Sequence, residues 1–190
     1  MNQVAIVYEA QGHYEEAEVL YQQALAGKEK LLGPDHPDTL NTVDDLAILY
    51  HLQGHYKEVE TMHQRTLVVK EKLLGPEHPE TLHTVNGLAY NCHLQGRYKE
   101  AETLLGRALA GREKLLGLEH PDTLDTVNQL AVVYETQGRH EEAEVLYQQA
   151  WAGREKFLGP DHPATLETVH DLAILYRLQG HYKEAETMCQ

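Results

Sequence analysis

Cysteine, tryptophan and phenylalanine are scarce in this sequence. Among 190 residues there are two cysteines, Cys92 and Cys189, one tryptophan and one phenylalanine. Two thiols cannot supply the several disulfides of a small secreted scaffold, nor a zinc site made of four cysteines. The sequence therefore excludes both classes and favours a reducing, cytoplasmic setting.

Long apolar runs are absent and basic residues are few. No run approaches the roughly 18 apolar residues of a membrane helix, and the first residues lack the basic and apolar stretches of a signal peptide. Lysine and arginine total 16 against 30 acidic residues, which gives a net charge of −14. Such a charge repels phosphate backbones and anionic membranes. We therefore expect neither nucleic acid nor a membrane as a partner.

The sequence is dominated by an internal repeat of 42 residues. The pair Gln-Gly recurs at positions 11, 53, 95, 137 and 179, and the pair His-Pro at 36, 78, 120 and 162. The repeat defines complete units at 37–78, 79–120 and 121–162, with partial units at 1–36 and 163–190. Residues 2–62 also align with 128–188 at 48 of 61 identical positions. This near-identity indicates duplication of a three-unit block.

Each unit contains two segments with helical spacing of apolar residues. The first begins at Pro37 and ends near Gly54, and the second runs from Tyr56 to Gly75. Proline at the first helical position and glycine after the last one are typical helix boundaries. A single hairpin cannot bury its apolar stripe, but stacked hairpins can. The sequence predicts one all-α domain over 1–190, a right-handed α-solenoid of antiparallel helix hairpins.

Small residues recur where the two helices of a hairpin would cross. The first helix carries Ala47, Ala89, Ala131 and Ala173. The second helix carries Ala17, Ala101, Ala143 and Ala185. This pattern resembles the tetratricopeptide repeat (TPR). The unit exceeds the standard length of about 34 residues, and in this it resembles the kinesin-light-chain subtype, which is also found in NOD-like immune receptor proteins of fungi and bacteria.

One stretch departs from the repeat pattern. Val59, His63 and Thr66 replace Ala, Tyr and Ala of the first unit, Gly87 lies inside a helix, and Cys92 replaces a tyrosine. Glycine within a helix costs about 1 kcal/mol relative to alanine. We expect the stretch from Val59 to Cys92 to open more readily than 130–158.

The resemblance implies that the first helix of each hairpin lines a concave, peptide-binding groove. Four positions per unit are then candidate binding residues. They are Asn41, Asp44, Ile48, His51, His83, Asn86, Tyr90, His93, Asp125, Asn128, Val132, Glu135, Glu167, His170, Ile174 and Arg177. Asn86 and Asn128 match the asparagine that clamps a peptide backbone in the family, so we expect both amides to face the groove.

The candidate set is acidic. Its carboxylates are Asp44, Asp125, Glu135 and Glu167. Against them stands one arginine, Arg177, while histidine is mainly neutral at pH 7. We therefore expect a basic or neutral ligand segment rather than an acidic one.

Metal binding and catalysis find no support in the sequence. The thirteen histidines do not follow metal-ligand spacing, since His36, His78, His120 and His162 lie one repeat apart. No glycine-rich phosphate loop is present, and the paired acids recur as solvated helix faces. We expect no cofactor, no metal and no enzymatic activity.

The sequence thus predicts a non-catalytic scaffold that binds a peptide or protein segment. The resemblance suggests the ligand-sensing region of a NOD-like receptor-type protein. Two alternatives stay open: a structural array that self-associates, and a cargo adaptor resembling kinesin light chain. Self-association could use apolar residues at uncapped ends, with Cys189 able to form an intermolecular disulfide.

Overall fold

The computed structural model describes residues 2–188, all of whose regular elements are α-helices. In chain order these are α1 (Asn2–Ala10), α2 (Tyr14–Leu32), α3 (Pro37–Leu52), α4 (Tyr56–Leu74), α5 (Pro79–Leu94), α6 (Tyr98–Leu116), α7 (Pro121–Thr136), α8 (His140–Leu158), α9 (Pro163–Gln179) and α10 (Tyr182–Met188). They form two compact units, Met1–Gln95 (unit 1) and Gly96–Gln190 (unit 2). Cys189 and its predicted disulfide lie outside the described residues.

The His-Pro pairs begin the first helix of each hairpin. Proline occupies the first helical turn, and the Nδ1 atom of the preceding histidine accepts a hydrogen bond from the backbone N–H two residues later. For His36 the donor is the N–H of Asp38, at 3.1 Å. A helix N-terminus has unpaired N–H donors, so this contact is an N-cap. The histidine therefore caps the start of the helix.

Glycine ends the helices of each hairpin where the backbone enters the left-handed region. Gly54 follows α3 with φ of 78°, and Gly75 follows α4 with φ of 97°. A side chain would be strained at both positions. The N–H of Gly75 donates to the carbonyl of Glu71 and so satisfies one of the last carbonyls of α4. The helix ends therefore lie where the glycines predicted them.

The core of unit 1 is formed between successive hairpins. Ala5, Ala17, Tyr21, Leu46 and Leu49 form one buried cluster contributed by α1, α2 and α3. Alanine at the crossing points lets the helices approach closely. Burial of a leucine of this kind stabilises the fold by about 2 kcal/mol, and truncation of Leu49 to alanine would cost about 3 kcal/mol.

The core of unit 2 repeats that arrangement at positions 126 residues later. Its buried cluster consists of Ala131, Ala143, Tyr147, Leu172 and Leu175. Each of the five residues is identical to its counterpart in unit 1. The duplication inferred from sequence therefore preserves the core of each unit. No helix within residues 2–188 has the length and apolar character needed to cross a membrane.

Candidate functional site

The candidate binding positions lie on α3 and α5 of unit 1 and on α7 and α9 of unit 2. We call the eight positions of each unit its groove face. Three apolar members, Ile48, Tyr90 and Ile174, are exposed in the free protein. On each of these three helices, the other exposed residues of the groove face are polar. Exposed apolar side chains framed by polar ones are typical of binding surfaces.

The two asparagines expected to clamp a ligand are buried instead. Asn86 is 8% exposed and Asn128 is 6% exposed. The Nδ2 atom of Asn128 donates to Oδ2 of Asp171 at 3.3 Å, which links α7 to α9. In the free protein the Asn128 amide is therefore tied to α9, and that the two amides clamp a ligand stays a prediction.

Two of the four carboxylates of the groove face are paired with cations from the second helices. Lys70 donates to Asp44 at 3.0 Å, and Arg154 forms an ion pair with Asp125. Both cations are about 95% buried. The predicted preference for a basic or neutral ligand counted only the first helices, so it omitted these cations.

Glu135 is the third carboxylate of the face that has a partner. The Tyr147 hydroxyl donates to its Oε2 atom at 2.8 Å. Burial, and then this hydrogen bond, raise the pKa of Tyr147, so the hydroxyl keeps its proton. Burial also raises the pKa of Asp171, while the hydrogen bond from Asn128 opposes this rise and the charges of Glu167 and Glu135 add to it. Unit 2 therefore holds a partly buried carboxylate beside its groove face.

A series of basic residues ties each second helix to the following first helix. Its members, one repeat apart, are Lys28, Lys70, Arg112 and Arg154. Arg112 is 5% exposed, and its Nη1 atom donates to the carbonyl of Asp122 and to the hydroxyl of Thr126, both at 2.7 Å. Burial lowers the pKa of Arg112, while the charges of Asp122 and Asp125 oppose this.

Two other members, Lys28 and Arg154, make the same pair of contacts, and Lys70 shares the bond to a threonine hydroxyl, at Thr84. Lys28 reaches the carbonyl of Asp38 and the hydroxyl of Thr42. Arg154 reaches the corresponding atoms of Ala164 and Thr168. Sequence reasoning missed the series, although a cation at a strict 42-residue step was a visible signal.

Histidines are concentrated on the groove face of unit 1. The rings of His51 and Tyr90 lie 5.1 Å apart, which joins α3 to α5. Burial lowers the pKa of His51 and of His93. His63, on α4, lies so close to Gly87 that a Cβ atom there would be 3.2 Å from its ring. In the sequence His63 is a departure from the repeat pattern, and in the structure it lies beside the groove face.

The residues of the other registers allow no further site to be built. Among the described residues, no three histidine, cysteine, aspartate or glutamate side chains are arranged to hold a metal ion. Cys92 is a buried cysteine on the apolar face of α5. The groove faces combine exposed apolar side chains with varied polar groups.

Stacked helix hairpins with an exposed first-helix face define a repeat protein of the protein-interaction class. The model of the tetratricopeptide repeat family matches residues 1–72, 60–114, 84–156 and 122–189. The chain therefore belongs to the tetratricopeptide repeat family. No curated protein matches it.

Solved structures agree with this assignment. The nearly identical TPR-like repeats of a kinesin-light-chain protein from Podosopora anserina are 31% identical, with a TM-score of 0.81 over 99% of this chain and 89% of that one. BtubC (BKLC) from P. vanneervenii is 24% identical, with a TM-score of 0.82 over 97% of this chain and 73% of that one. A Rap protein complexed with competence and sporulation factor is 16% identical, with a TM-score of 0.81 over 98% and 50%. The predicted α-solenoid fold is confirmed.

Proposed function

We propose that the chain is a non-catalytic scaffold whose groove faces bind a peptide or protein segment. The observation that carries this proposal is where the duplicated copies differ. Of 61 aligned positions 13 differ, since 61 − 48 = 13. Among the four groove positions of α3 and α9, three differ: Asn41 against Glu167, Asp44 against His170, and His51 against Arg177. The core clusters do not differ at all.

Variation of this kind suits recognition. A fixed framework that presents different polar side chains at equivalent positions can read different parts of one ligand. Ile48 and Ile174 are unchanged and exposed, and they would supply apolar contacts within each polar frame. The Rap structure, which holds competence and sporulation factor, supports a binding role for hairpin arrays of this fold.

The proposal assigns affinity to exposed side chains rather than to the buried amides of Asn86 and Asn128. Tyr90 contributes a large surface with a polar hydroxyl, a combination enriched at binding hot spots. The partnered carboxylates Asp44 and Asp125 contribute little net charge. A preference for basic or neutral segments is therefore confined to the neighbourhood of Glu135, whose partner is a neutral hydroxyl, and of Glu167.

The repeat subtype supports two biological settings. Repeats of 42 residues and the likeness to kinesin-light-chain repeats suit either the ligand-sensing array of a NOD-like receptor-type protein or a cargo adaptor. We favour the sensing array, in the cytoplasm, because the two copies of the block are nearly identical. Both settings require a ligand segment, and the self-association alternative does not.

The experiment compares exposed apolar residues on the same helix. A peptide is selected from a displayed random library against the whole chain, and its affinity is measured for Ile48→Ala and Leu52→Ala. Ile48 is 54% exposed on the groove face and Leu52 is 49% exposed outside it. We expect about a tenfold loss for Ile48→Ala, the effect of about 1.4 kcal/mol at a binding residue, and less than about twofold for Leu52→Ala.

A second pair on α9 repeats the comparison in unit 2. Ile174→Ala tests the groove face and Leu178→Ala is the control. Equal losses in both pairs would remove the groove faces from the proposal. Concentration-dependent assembly of the chain, with no peptide enriched, would favour the self-association alternative.

A further inference from the structure

Two hairpins share a pairing that links a first helix to its second helix. The Tyr21 hydroxyl donates to Glu9 at 3.0 Å in unit 1, and the Tyr147 hydroxyl donates to Glu135 at 2.8 Å in unit 2. These positions are related by the repeat. In the hairpin of α3 and α4 the same two positions carry His51 and His63. One hairpin thus has two imidazoles in place of a carboxylate and a phenol.

Gly87 makes room for this exchange. The equivalent positions hold aspartate in Asp45 and Asp171, whereas Gly87 has no side chain. The Cε1 and Nε2 atoms of His63 would both lie 3.2 Å from a Cβ atom at Gly87. The imidazole therefore occupies space next to α5 that a larger residue would contest.

Neither imidazole has its polar atoms satisfied. Nδ1 of His63 and Nε2 of His51 are buried, and neither atom has a hydrogen-bond partner among the described residues. A buried polar atom without a partner costs about 1 to 3 kcal/mol, and a buried charge costs more. The cluster therefore tolerates neutral imidazoles and disfavours imidazolium.

Charged groups from three helices act on His63. Asp44 of α3 favours its protonation, whereas His51 of α3, Lys70 of α4 and His83 of α5 oppose it. Asp44 is already held by Lys70 at 3.0 Å. Burial is the largest influence and lowers the pKa of His63 below 6.5. Burial lowers the pKa of His51 in the same direction.

The sign of the pH dependence follows from these shifts. A histidine whose pKa is lower in the folded protein than in the unfolded chain binds protons more weakly when folded. Its contribution to stability is present above about pH 6.5, the unfolded value. It is lost as the pH falls from there to the lower folded value.

We propose that His51 and His63, seated against Gly87, form a proton-responsive element that loosens α4 from α5 at mildly acidic pH. Loosening these helices disturbs the groove face of unit 1, because His51 and Tyr90 are members of it. Ligand binding at that face then weakens on acidification. This last step rests on the proposed function, whereas the loosening of the helices does not.

The first experiment measures hydrogen exchange of α4 and α5 in the whole chain at pH 7.5 and 5.5, corrected for intrinsic exchange rates. We expect opening to increase severalfold in the wild type at pH 5.5, because the closed protein binds protons at these histidines more weakly than the open state does. The variant H51E/H63Y installs the pair found in α1–α2 and α7–α8, and its opening should change less than about twofold.

Two further variants keep the test decisive. His55→Arg is the control, because arginine occupies the equivalent positions Arg97 and Arg139; it should keep the wild-type response. If H51E/H63Y fails to fold, His63→Leu replaces it, since Leu105 is buried at the equivalent position. Direct titration of the His63 ring by NMR is a further check. A pKa at or above 6.5, or an unchanged pH response in the variants, would overturn the proposal.

The binding step is tested separately with the peptide selected against the whole chain. Its affinity should fall between pH 7.5 and 5.5 for the wild type and stay constant for H51E/H63Y. If a peptide is selected but exchange in the wild type does not depend on pH, the proton-responsive element is contradicted and the proposed function is not. Failure to select any peptide contradicts the proposed function and leaves the exchange result standing.

Discussion

The hairpins α3–α4 and α7–α8 derive from one repeat pattern, yet they pack differently. In α8 a Cβ atom at Gly153 would lie 2.7 Å from both δ-carbons of Leu124 on α7. Val69 occupies the equivalent position in α4, and Leu40 is the counterpart of Leu124 in α3. The hairpin with glycine has the closer contact between its helices. The hairpin with valine leaves a cleft of about 350 Å³ whose lining includes Leu40, Leu73 and Leu74.

In α7–α8 the close contact between the helices requires glycine at position 153, because a side chain there would collide with Leu124. Interiors are packed to nearly crystal density, so a side chain cannot be added where two helices already touch. The repeat pattern marks alanine at the crossing points, but it does not mark this glycine. The difference between units therefore arises outside the positions that define the family.

The largest expected effect is that of Gly153→Val, which installs the residue of α4 in α8. The new side chain would collide with Leu124, and overpacking of this kind costs about 3 kcal/mol. We expect the loss in the free energy of unfolding, measured by urea denaturation and by hydrogen exchange of unit 2.

Gly27→Ala is the matched control for this substitution. Gly27 occupies the equivalent position in α2, where no atom lies within 4 Å of an added Cβ. Alanine should stabilise α2 by about 0.5 to 1 kcal/mol through helix propensity alone. A Gly153→Val protein as stable as the wild type would show that α7 and α8 can move apart without loss of stability. The close contact at Gly153 would then not contribute to the free energy of unfolding.

The helices could be predicted from the sequence because their boundaries depend on local chemistry. Pro37, Gly54 and Gly75 act through their own backbone geometry, so each helix start and end was visible in the residues themselves. The candidate groove positions fall on the first helices for the same reason, and that they bind a ligand stays a prediction. Their burial was not predictable, since it depends on how far a neighbouring helix covers each side chain, as at Asn86 and Asn128.

Pairs of substitutions that compensate for each other could not be recognised by comparing the repeats one position at a time. His63 and Gly87 each depart from the repeat, but the small residue accommodates the ring. Val59 and Cys92 are both 2% exposed, so each is packed where it stands. That the stretch from Val59 to Cys92 opens more readily than 130–158 stays a prediction, and the hydrogen-exchange experiment above tests it.

The next largest effect concerns a hydroxyl in unit 1. Thr66 is fully buried in α4, and its Oγ1 atom has no hydrogen-bond partner among the described residues. The other repeats carry alanine at this position, at Ala24, Ala108 and Ala150. Thr66→Ala removes an unsatisfied polar group and should stabilise unit 1 by about 1 kcal/mol.

A second threonine of unit 1 sharpens this test. The Thr81 hydroxyl donates to the carbonyl of Gly75 at 2.8 Å, so Thr81→Ala should destabilise the unit by about 1 kcal/mol. Thermal unfolding of both variants decides the matter. If the two substitutions changed stability in the same direction, hydrogen-bond satisfaction would not explain the role of either hydroxyl.

The smallest expected effect reverses the pH dependence that we infer for unit 1. Burial raises the pKa of Asp171 above its ordinary value of 3.8, so its ionised form lowers the stability of unit 2 at pH 7. This penalty disappears as the pH falls from the raised value to about 3.8, where the unfolded chain is protonated too. Asp171→Asn should therefore stabilise unit 2 at pH 7, by less than Thr66→Ala stabilises unit 1, because solvent screens a partly exposed group. The advantage of the variant over the wild type should shrink on acidification, because an asparagine does not titrate while its oxygen still accepts from Asn128.

Asp161→Asn, in an exposed turn, provides the control for the general effect of removing one negative charge. A gain in stability that stays constant between pH 7 and 4, or one matched by the control, would show that Asp171 is solvated in the folded protein and that the two units do not differ in the sign of their response to protons.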